Sequence, residues 1–278
     1  MKTYNKFVDY YDEIIRGNWY DLGSEVDFLD ETIQKFSPLL RNQGKGVVEI
    51  LEFACGTGTI AKELVKKWYS VSWIDLSEQM IEKAKKAHLT SPLEERDNTS
   101  FQVWDMTSIN LNKKFDVVLC NYNSVCHLKD WKAWQDFFNN AYNHLKKDCI
   151  LIFDILTLFE FENISRDFKW FFNVKWDTIC LEMFKEPTTL HFDKRGDAWK
   201  AEGICDWEGI YKWLIKMFVN KWDNTFELVE EEIREISFKI EKIKKELEWV
   251  WFSIEHLEDF HFWEVTSESE RVYFVVKK

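Results

Sequence analysis

Ile50-Leu-Glu-Phe-Ala-Cys-Gly-Thr-Gly58 and, a short way on, Trp73-Ile-Asp-Leu-Ser77 decide the fold of this chain. The first stretch is typical of a buried strand that runs into a glycine-rich turn, and a helix over 59–67 is predicted directly after it. Such a turn lets the backbone approach a ligand closely, and the first turn of a helix offers free N–H groups. Asp75 ends a second strand with a carboxylate suited to ribose hydroxyls. Together the two stretches predict a nucleoside-binding βαβ unit.

The composition indicates a packed globular protein, because 46% of the 278 residues are hydrophobic and 31% are charged. The chain has no apolar run of membrane-spanning length and no signal peptide, so we expect a cytoplasmic protein without a membrane partner. A net charge of −12 disfavours nucleic acid and favours a small or cationic partner. The six cysteines lack C-x-x-C spacing, which favours reduced, buried thiols, and no residue cluster predicts a metal site.

Predicted strands and helices alternate through the first half of the chain, after a helical segment over 4–36. Strands are predicted at 47–53, 69–75, 100–103, 115–121 and 149–155, and helices at 59–67, 77–88 and 130–145. This alternation predicts an α/β fold with a doubly wound, mostly parallel sheet and helices on both faces.

From about 156 to 236 the pattern changes to short alternating strands, which predict an antiparallel β insertion at 169–174, 178–184, 188–192 and 226–236. The acidic run at 230–232 is expected to be a solvated strand face. A helix over 237–248 and an edge hairpin of strands 253–257 and 271–277 then return to the main sheet. We therefore predict a cofactor-binding domain, 1–155 plus 237–278, with an N-terminal lid helix, and an inserted β subdomain, 156–236.

The glycine pattern alone does not identify the nucleoside. Gly56-x-Gly58-x-x-Ala61, followed by Asp75, formally fits the dinucleotide fingerprint, which is a weak signal without its context. The glycine pattern therefore does not exclude a nicotinamide-dependent oxidoreductase.

Polar residues at the predicted strand ends point to a different ligand. Glu52 lies within the first strand, where its carboxylate can reach a cationic amino group. Asp105 and Met106 follow the third strand, where an acid can accept from an adenine amino group and a thioether can pack on the ring. Asn121 ends the fourth strand at the mouth of the predicted crevice.

With these residues the chain resembles the class I S-adenosylmethionine-dependent methyltransferases, in particular the small-molecule branch with an inserted β subdomain. The resemblance is carried by the segments 4–12 (lid), 52–58 (motif I), 75–77 (ribose acid), 105–106 (adenine pair), 115–121 (motif IV) and 144–149. It implies a seven-stranded sheet that includes the C-terminal hairpin, and S-adenosylmethionine as cofactor. The cofactor contacts that it implies are Tyr11, Glu52, Ala54, Cys55, Gly56, Gly58, Asp75, Leu76, Asp105, Met106 and Asn121.

The function that follows is methyl transfer to a small-molecule N or O nucleophile. The insertion and the N-terminal segment are expected to cover the acceptor, and His127 or Tyr122, after the fourth strand, is a candidate to orient it or accept a proton. A lone histidine is more often structural, so this role stays a hypothesis. The alternatives are the oxidoreductase and a cofactor-binding protein without catalysis.

Four tryptophans depart from the family pattern. Trp68, Trp73, Trp104 and Trp251 stand where the resembled family usually has glycine, and the chain holds 15 Trp against only 9 Gly. Overpacking a tight turn costs about 1–3 kcal/mol per site, so four independent replacements would consume much of a marginal stability. Our hypothesis is that a codon read as glycine in the source is rendered here as tryptophan, as a reassigned UGA would be. The alternative is a remodelled pocket.

Overall fold

A seven-stranded sheet runs through the centre of the protein. The structure is a computed structural model that describes residues 4–17, 21–36, 46–89, 101–164, 169–185, 190–192, 198–200, 208–221, 225–259 and 264–278. The first strands are β1 (Glu49–Phe53), β2 (Ser70–Asp75), β3 (Phe101–Val103), β4 (Phe115–Cys120) and β5 (Leu145–Leu156). These five are parallel where they pair, in the order β5-β4-β1-β2-β3.

Helices cover both faces of this sheet: α1 (Leu22–Phe36), α2 (Thr59–Lys66), α3 (Glu78–Leu89), α4 (Trp131–His144), α5 (Leu158–Ile164) and α6 (Ile240–Trp249). The first three helices share an apolar core with Ile50 of β1. Helices α4 and α6 share another core with Leu51, the next residue of the same strand. Successive strand residues point to opposite faces, so one apolar strand supports both layers.

A second sheet is antiparallel and separate from the first. Its members are β6 (Lys169–Val174), β7 (Asp177–Lys185), β10 (Glu208–Asn220) and β11 (Phe226–Phe238), in the order β11-β10-β7-β6, while β8 (Leu190–Phe192) and β9 (Ala198–Lys200) pair with each other. The last strands, β12 (Ser253–Asp259) and β13 (Arg271–Lys277), form the hairpin that extends the central sheet antiparallel to β5. The predicted fold class, with its seven-stranded sheet, edge hairpin and antiparallel β region, is confirmed.

Strand β10 is absent from the sequence prediction, although it lies between β11 and β7 and pairs with both. The signal for it was present, because Tyr211, Ile215 and Met217 are buried with the spacing of a strand. Helix α5 was missed as well. Strand β11 continues through Phe238 instead of ending at 236, because Ile236 and Phe238 are buried and Ser237 Oγ donates to Leu156 O. The helix predicted from 237 therefore begins at Ile240.

The single helix predicted over 4–36 is wrong. The segment contains a 3₁₀ turn (Phe7–Asp9), a π-helical turn (Asp12–Arg16) and then α1, and residues 18–20 lie outside the described ranges. The physical reason is that two surfaces must be covered. Phe7 and Ile14 pack into the core of the antiparallel sheet, whereas α1 packs on the central sheet. Within the described ranges, no helix has the length and apolarity that a membrane crossing requires.

The four unusual tryptophans fall into two groups. Trp68 and Trp251 have φ of 72° and 74°, a left-handed conformation that costs a residue with a Cβ roughly 1–2 kcal/mol and glycine almost nothing. Both side chains are largely exposed. Trp73 is fully buried, with its ring against Phe101 at a centroid distance of 4.2 Å, and Trp104 does not have a positive φ. The backbone thus supports the glycine hypothesis at 68 and 251.

We expect Trp68→Gly and Trp251→Gly each to raise the free energy of unfolding by about 1 kcal/mol, because glycine adopts a positive φ without strain. Denaturant titration measures the change. Trp249→Gly is the matched control: Trp249 is as exposed as Trp251, but it lies in α6, where glycine costs about 1 kcal/mol. Destabilisation by Trp68→Gly and Trp251→Gly would contradict the interpretation.

Candidate functional site

The glycine turn after β1 has a backbone conformation that few residues other than glycine adopt without strain. Ala54, Gly56 and Gly58 have φ of 52°, 56° and 73°, all in the left-handed region. A Cβ on Gly58 would lie 2.5 Å from the Trp73 ring, so this position requires glycine for space as well as for conformation. Cys55 N donates to Ile74 O at 2.9 Å, which joins the turn to β2.

Asp75 closes the turn from the other side. Its Oδ2 accepts a hydrogen bond from Gly56 N at 2.8 Å, and its Oδ1 accepts one from Ser77 N at 2.8 Å. Burial raises the pKa of the Asp75 carboxyl, while these two backbone donors favour its charged form. The acid predicted for the ribose is therefore also the group that fixes the turn, and each oxygen keeps further capacity to accept.

Two polar side chains are buried at the carboxyl ends of β1 and β4. Glu52 is only 3% exposed, and its Oε2 has no hydrogen-bond partner among the described residues. Burial raises the pKa of Glu52 to about 8. Both amide atoms of Asn121 are likewise buried without a hydrogen-bond partner in the described part of the chain. Buried polar groups normally have partners, so these atoms are candidates to bind a polar ligand.

The predicted adenine side of the site lies beside β2 and β3. Trp104 N donates to Asp75 O at 3.0 Å, which places Asp105 and Met106 immediately beyond the ribose acid. Asp105 Oδ1 accepts from both the backbone N–H and the hydroxyl of Thr107, and Met106 is largely buried. Leu76 is 65% exposed next to this edge. The structure thus gathers carboxylate and apolar groups where the sequence placed them.

The N-terminal segment lies over the turn. Asp12 Oδ1 accepts a hydrogen bond from Thr57 Oγ1 at 2.6 Å, and its Oδ2 lies 3.2 Å from Lys83 Nζ. Tyr11 lies on the same segment, and its ring meets that of Tyr4 edge-on at 5.6 Å between centroids. The segment that carries Tyr11 is therefore joined to the turn by one hydrogen bond, which the neighbouring Asp12 accepts from Thr57.

Arg16 is a candidate that the sequence analysis missed. Its guanidinium lies 4.1 Å above the Tyr122 ring and its Nε is 3.7 Å from Asp12 Oδ1. Nε and Nη1 are buried and make no hydrogen bond to any described residue. A buried guanidinium is costly unless paired, so Arg16 is suited to an anionic group. Arg16 lies four residues beyond the lid segment 4–12, and no local pattern in the sequence singled it out.

A buried ion network lies at the carboxyl end of β5 and was also missed. Arg271 donates from Nε to Asp154 Oδ2 at 2.6 Å and from Nη2 to Glu25 Oε1 at 3.2 Å. Asp154 Oδ2 also accepts from Asn123 N at 2.7 Å. The network connects α1, β5 and β13, residues far apart in sequence, so no local pattern predicts it.

A cavity of about 420 Å³ opens beside these strand ends. It is lined by Tyr4, Phe7, Tyr11, Ile15, Tyr122, Asn123, His127, Leu156, Glu160, Ile164, Trp170, Leu181, Trp213, Ile215, Ile233, Glu235, Glu270 and Arg271. The walls therefore come from the N-terminal segment, the central sheet and the antiparallel sheet. Both predicted acceptor-site residues, His127 and Tyr122, are among them.

His127 connects three of the walls. Its Nε2 lies 3.3 Å from Tyr4 Oη and 3.5 Å from Glu235 Oε1. Tyr122 has a left-handed φ of 59°, and burial raises the pKa of its phenol far above the usual range. Such a phenol does not ionise near neutral pH, which makes Tyr122 unsuited to act as a base and leaves His127 as the stronger of the two candidates.

The sequence predicted that the acidic run at 230–232 forms a solvated strand face. The structure shows that one of these acids also binds the N-terminal segment. The Glu231 carboxylate accepts hydrogen bonds from the backbone N–H groups of Asn5, Lys6 and Phe7. Tyr10 Oη also donates to Asp177 Oδ2 at 2.9 Å. The antiparallel sheet therefore holds the N-terminal segment over the cavity.

We expect Glu52→Gln to alter the pH dependence of stability. The folded carboxyl titrates near pH 8 and the unfolded one near 4.5, so the neutral form stabilises the fold fully below pH 4.5. As the pH rises towards 8, the free energy of unfolding of the wild type should fall relative to Glu52→Gln, by up to about 1.4 kcal/mol per unit.

Denaturant titrations between pH 5 and about 9 measure this difference. Glu49→Gln is the control on the same strand, because Glu49 is ion-paired with Lys113 and Lys146 at 2.7 and 3.2 Å. A constant difference between Glu52→Gln and the wild type would contradict the assignment of a buried, neutral Glu52.

Similarity to known proteins agrees with this geometry. Residues 50–148 match the family model described as a methyltransferase domain. A putative methyltransferase of Geobacillus is 25% identical over 99% of this chain and 100% of its own length. A crystal structure of an S-adenosylmethionine-dependent methyltransferase from Clostridium acetobutylicum superimposes with a TM-score of 0.75 at 23% identity, covering 99% of this chain and 98% of the other.

A sugar N-methyltransferase from Streptoalloteichus also shares the fold, with a TM-score of 0.66 at 17% identity over 95% of this chain and 92% of its own. The domain match decides against the nicotinamide-dependent oxidoreductase that the glycine fingerprint left open. The matched residues contain the strand, the strained turn and the ribose acid described above. Residues 50–148 therefore form a methyltransferase domain, and the chain has the fold of the S-adenosylmethionine-dependent methyltransferases.

Proposed function

We propose that this methyltransferase acts on a small-molecule N or O nucleophile that binds in the cavity of about 420 Å³. The cavity is the observation that carries the proposal, because it is of small-molecule size and its walls meet at the strand ends where the cofactor motifs lie. A fold neighbour is named as a sugar N-methyltransferase, which supports a small acceptor. The net charge of −12 argues against nucleic acid.

The residues present fit S-adenosylmethionine. Glu52 and Arg16 offer buried polar atoms without a hydrogen-bond partner among the described residues, one acidic and one basic, as an amino-acid ammonium and carboxylate require. Asp75 would accept hydrogen bonds from the ribose hydroxyls, and Gly56, whose N–H donates to Asp75, leaves open space beside it because it has no side chain. The side-chain amide of Asn121 would donate a hydrogen bond to the cofactor or accept one from it at the mouth of the site.

The remaining predicted contacts complete this assignment. Asp105 and Met106 would contact the adenine, with Leu76 as an apolar wall, while Ala54, Cys55 and Gly58 form the turn that the nucleoside approaches. Tyr11 would close the site from the lid. The bound cofactor supplies a methyl group activated by a sulfonium, so the protein needs no covalent nucleophile.

The role of the chain itself is then to align the acceptor and exclude water. We assign residues 1–155 plus 237–278 to cofactor binding and 156–236 to the acceptor. This division is supported by the lining of the cavity, to which Trp170, Leu181 and Trp213 of the antiparallel sheet contribute. His127, at the junction of both parts, is the candidate to orient the acceptor or accept its proton.

We expect Asp75→Ala to weaken binding of S-adenosylhomocysteine by about 1–3 kcal/mol, because the ligand loses a hydrogen bond that it donates to a charged carboxylate. Isothermal titration calorimetry measures the change. Asp136→Ala, which removes a partly exposed carboxylate from α4, is the control and should leave the affinity unchanged. Because Asp75 also fixes the turn, the melting temperature of each variant is measured alongside. Equal affinity of Asp75→Ala and wild type would remove Asp75 from the site.

The class of acceptor is tested with a cell extract separated into small molecules, proteins and nucleic acids, each incubated with enzyme and methyl-labelled S-adenosylmethionine. We expect label to enter the small-molecule fraction, and to do so more slowly with Asp75→Ala. Transfer mainly into the protein or nucleic acid fraction would overturn the proposed acceptor class while leaving the methyltransferase assignment intact.

A further inference from the structure

The cavity is electrostatically one-sided. Three carboxylates line it, those of Glu160, Glu235 and Glu270. Among the described residues the lining contains one guanidinium, that of Arg271, which is already engaged by Asp154 and Glu25. Burial and the neighbouring charge of Glu270 raise the pKa of Glu160 to about 7, the response expected of acids in a negative, poorly hydrated space. The lining therefore favours a positively charged occupant.

Glu235 is the most firmly positioned of these acids. It lies on β11 and is only 3% exposed. Its Oε2 accepts from Trp213 Nε1 at 2.6 Å, and its Oε1 accepts from Asn123 Nδ2 at 2.8 Å. Each carboxylate oxygen can accept more than one hydrogen bond, so both keep capacity for a ligand. His127 Nε2 is 3.5 Å from the same Oε1.

Aromatic rings line the same cavity as this carboxylate. Tyr4, Phe7 and Tyr11 from the lid meet one another within 5.6–6.4 Å between ring centroids. Trp170 and Trp213 of the antiparallel sheet lie 5.8 Å apart on the same cavity. The faces of such rings attract organic cations, and their edges exclude water. A buried, oriented carboxylate within an aromatic enclosure is a combination that recognises an alkylammonium group.

We propose that Glu235 determines acceptor specificity and that the acceptor is an organic amine, which enters the cavity as its ammonium ion. This inference rests on the proposed function, since it identifies the nucleophile of that same cavity. Burial raises the pKa of Glu235, so its ionised form needs a compensating cation, which an ammonium ion supplies and a neutral alcohol of the same shape does not.

The protonated nitrogen must lose one proton before it can react. We assign that proton to His127 Nε2, with Glu235 stabilising the imidazolium through the 3.5 Å approach. The nitrogen lone pair then forms the new N–C bond while the bond between methyl carbon and sulfur breaks, and its electron pair remains on sulfur. The product is a methylated ammonium ion, and the proton on His127 passes to solvent, one for each turnover.

The test measures binding to the full chain saturated with S-adenosylhomocysteine at pH 7. Two matched pairs are compared by calorimetry, benzylamine against benzyl alcohol and cyclohexylamine against cyclohexanol. We expect each amine to bind at least about tenfold more tightly than its alcohol, as a hydrogen-bonded charge pair provides. In Glu235→Gln the two members of each pair should bind within about twofold of one another.

Glu232→Gln is the matched control, because Glu232 lies on the same strand and pairs with Lys212 at 2.9 Å outside the cavity lining. It should keep the amine preference, and both variants should keep the wild-type affinity for S-adenosylhomocysteine. The wild-type comparison needs no variant and stands even if Glu235→Gln does not fold.

Equal binding of amine and alcohol to the wild type, binding of no amine, or a preference that survives Glu235→Gln would each overturn the inference. Failure of the wild type to bind S-adenosylhomocysteine would instead overturn the proposed function, so the two failures are distinguishable.

Discussion

The geometry of the site depends on the hydrogen bond from Gly56 N to the Asp75 carboxylate. The turn from Ala54 to Gly58 has three residues in the left-handed region, which Gly56 and Gly58 adopt without strain but which is unfavourable for Ala54. Asp75 offsets this cost by accepting from the middle of the turn, and Ser77 N fixes its other oxygen. The carboxylate that we propose to bind the ribose thus also fixes the path of the turn.

The cavity proposed for the acceptor depends on a different constraint, the attachment of the N-terminal segment. Asp12 joins this segment to the turn through Thr57, and Glu231 holds its first backbone N–H groups from the antiparallel sheet. The segment cannot continue as one straight helix, because Phe7 and Ile14 belong to one core and α1 to another. The lid is therefore irregular because it must contact two sheets at once.

The tryptophans show that the effect of exchanging glycine for tryptophan depends on the surroundings of each position. At 68 and 251 the backbone has a positive φ that suits glycine and strains a residue with a Cβ, and the indole is exposed. At 73 the indole fills the space beneath Gly58 and packs on Phe101, where its removal would leave a cavity. Whether glycine or tryptophan is favourable at each position is thus decided by φ and by burial rather than by the sequence pattern.

The local signals in the sequence determined the central sheet, the turn and the predicted cofactor residues. Motifs such as Glu52 to Gly58 and Asp75 lie at strand ends, and the carboxyl ends of parallel strands meet at one edge whatever the rest of the chain does. The family resemblance and the apolar alternation agreed on the seven-stranded sheet for this reason. The missed β10 had a readable period of two, so its omission was not a limit of the sequence.

Only the tertiary structure decided the composition of the cavity. Glu235 and Arg271 are ordinary charged residues in sequence, and their importance arises because pairing of distant elements brings both to one cavity. Asn123 and Glu235 are joined by a hydrogen bond across two different sheets, a contact that no local period encodes. The sequence by itself determined where the cofactor motifs lie; long-range packing, which sets burial and charge pairing, decided what else the site can recognise.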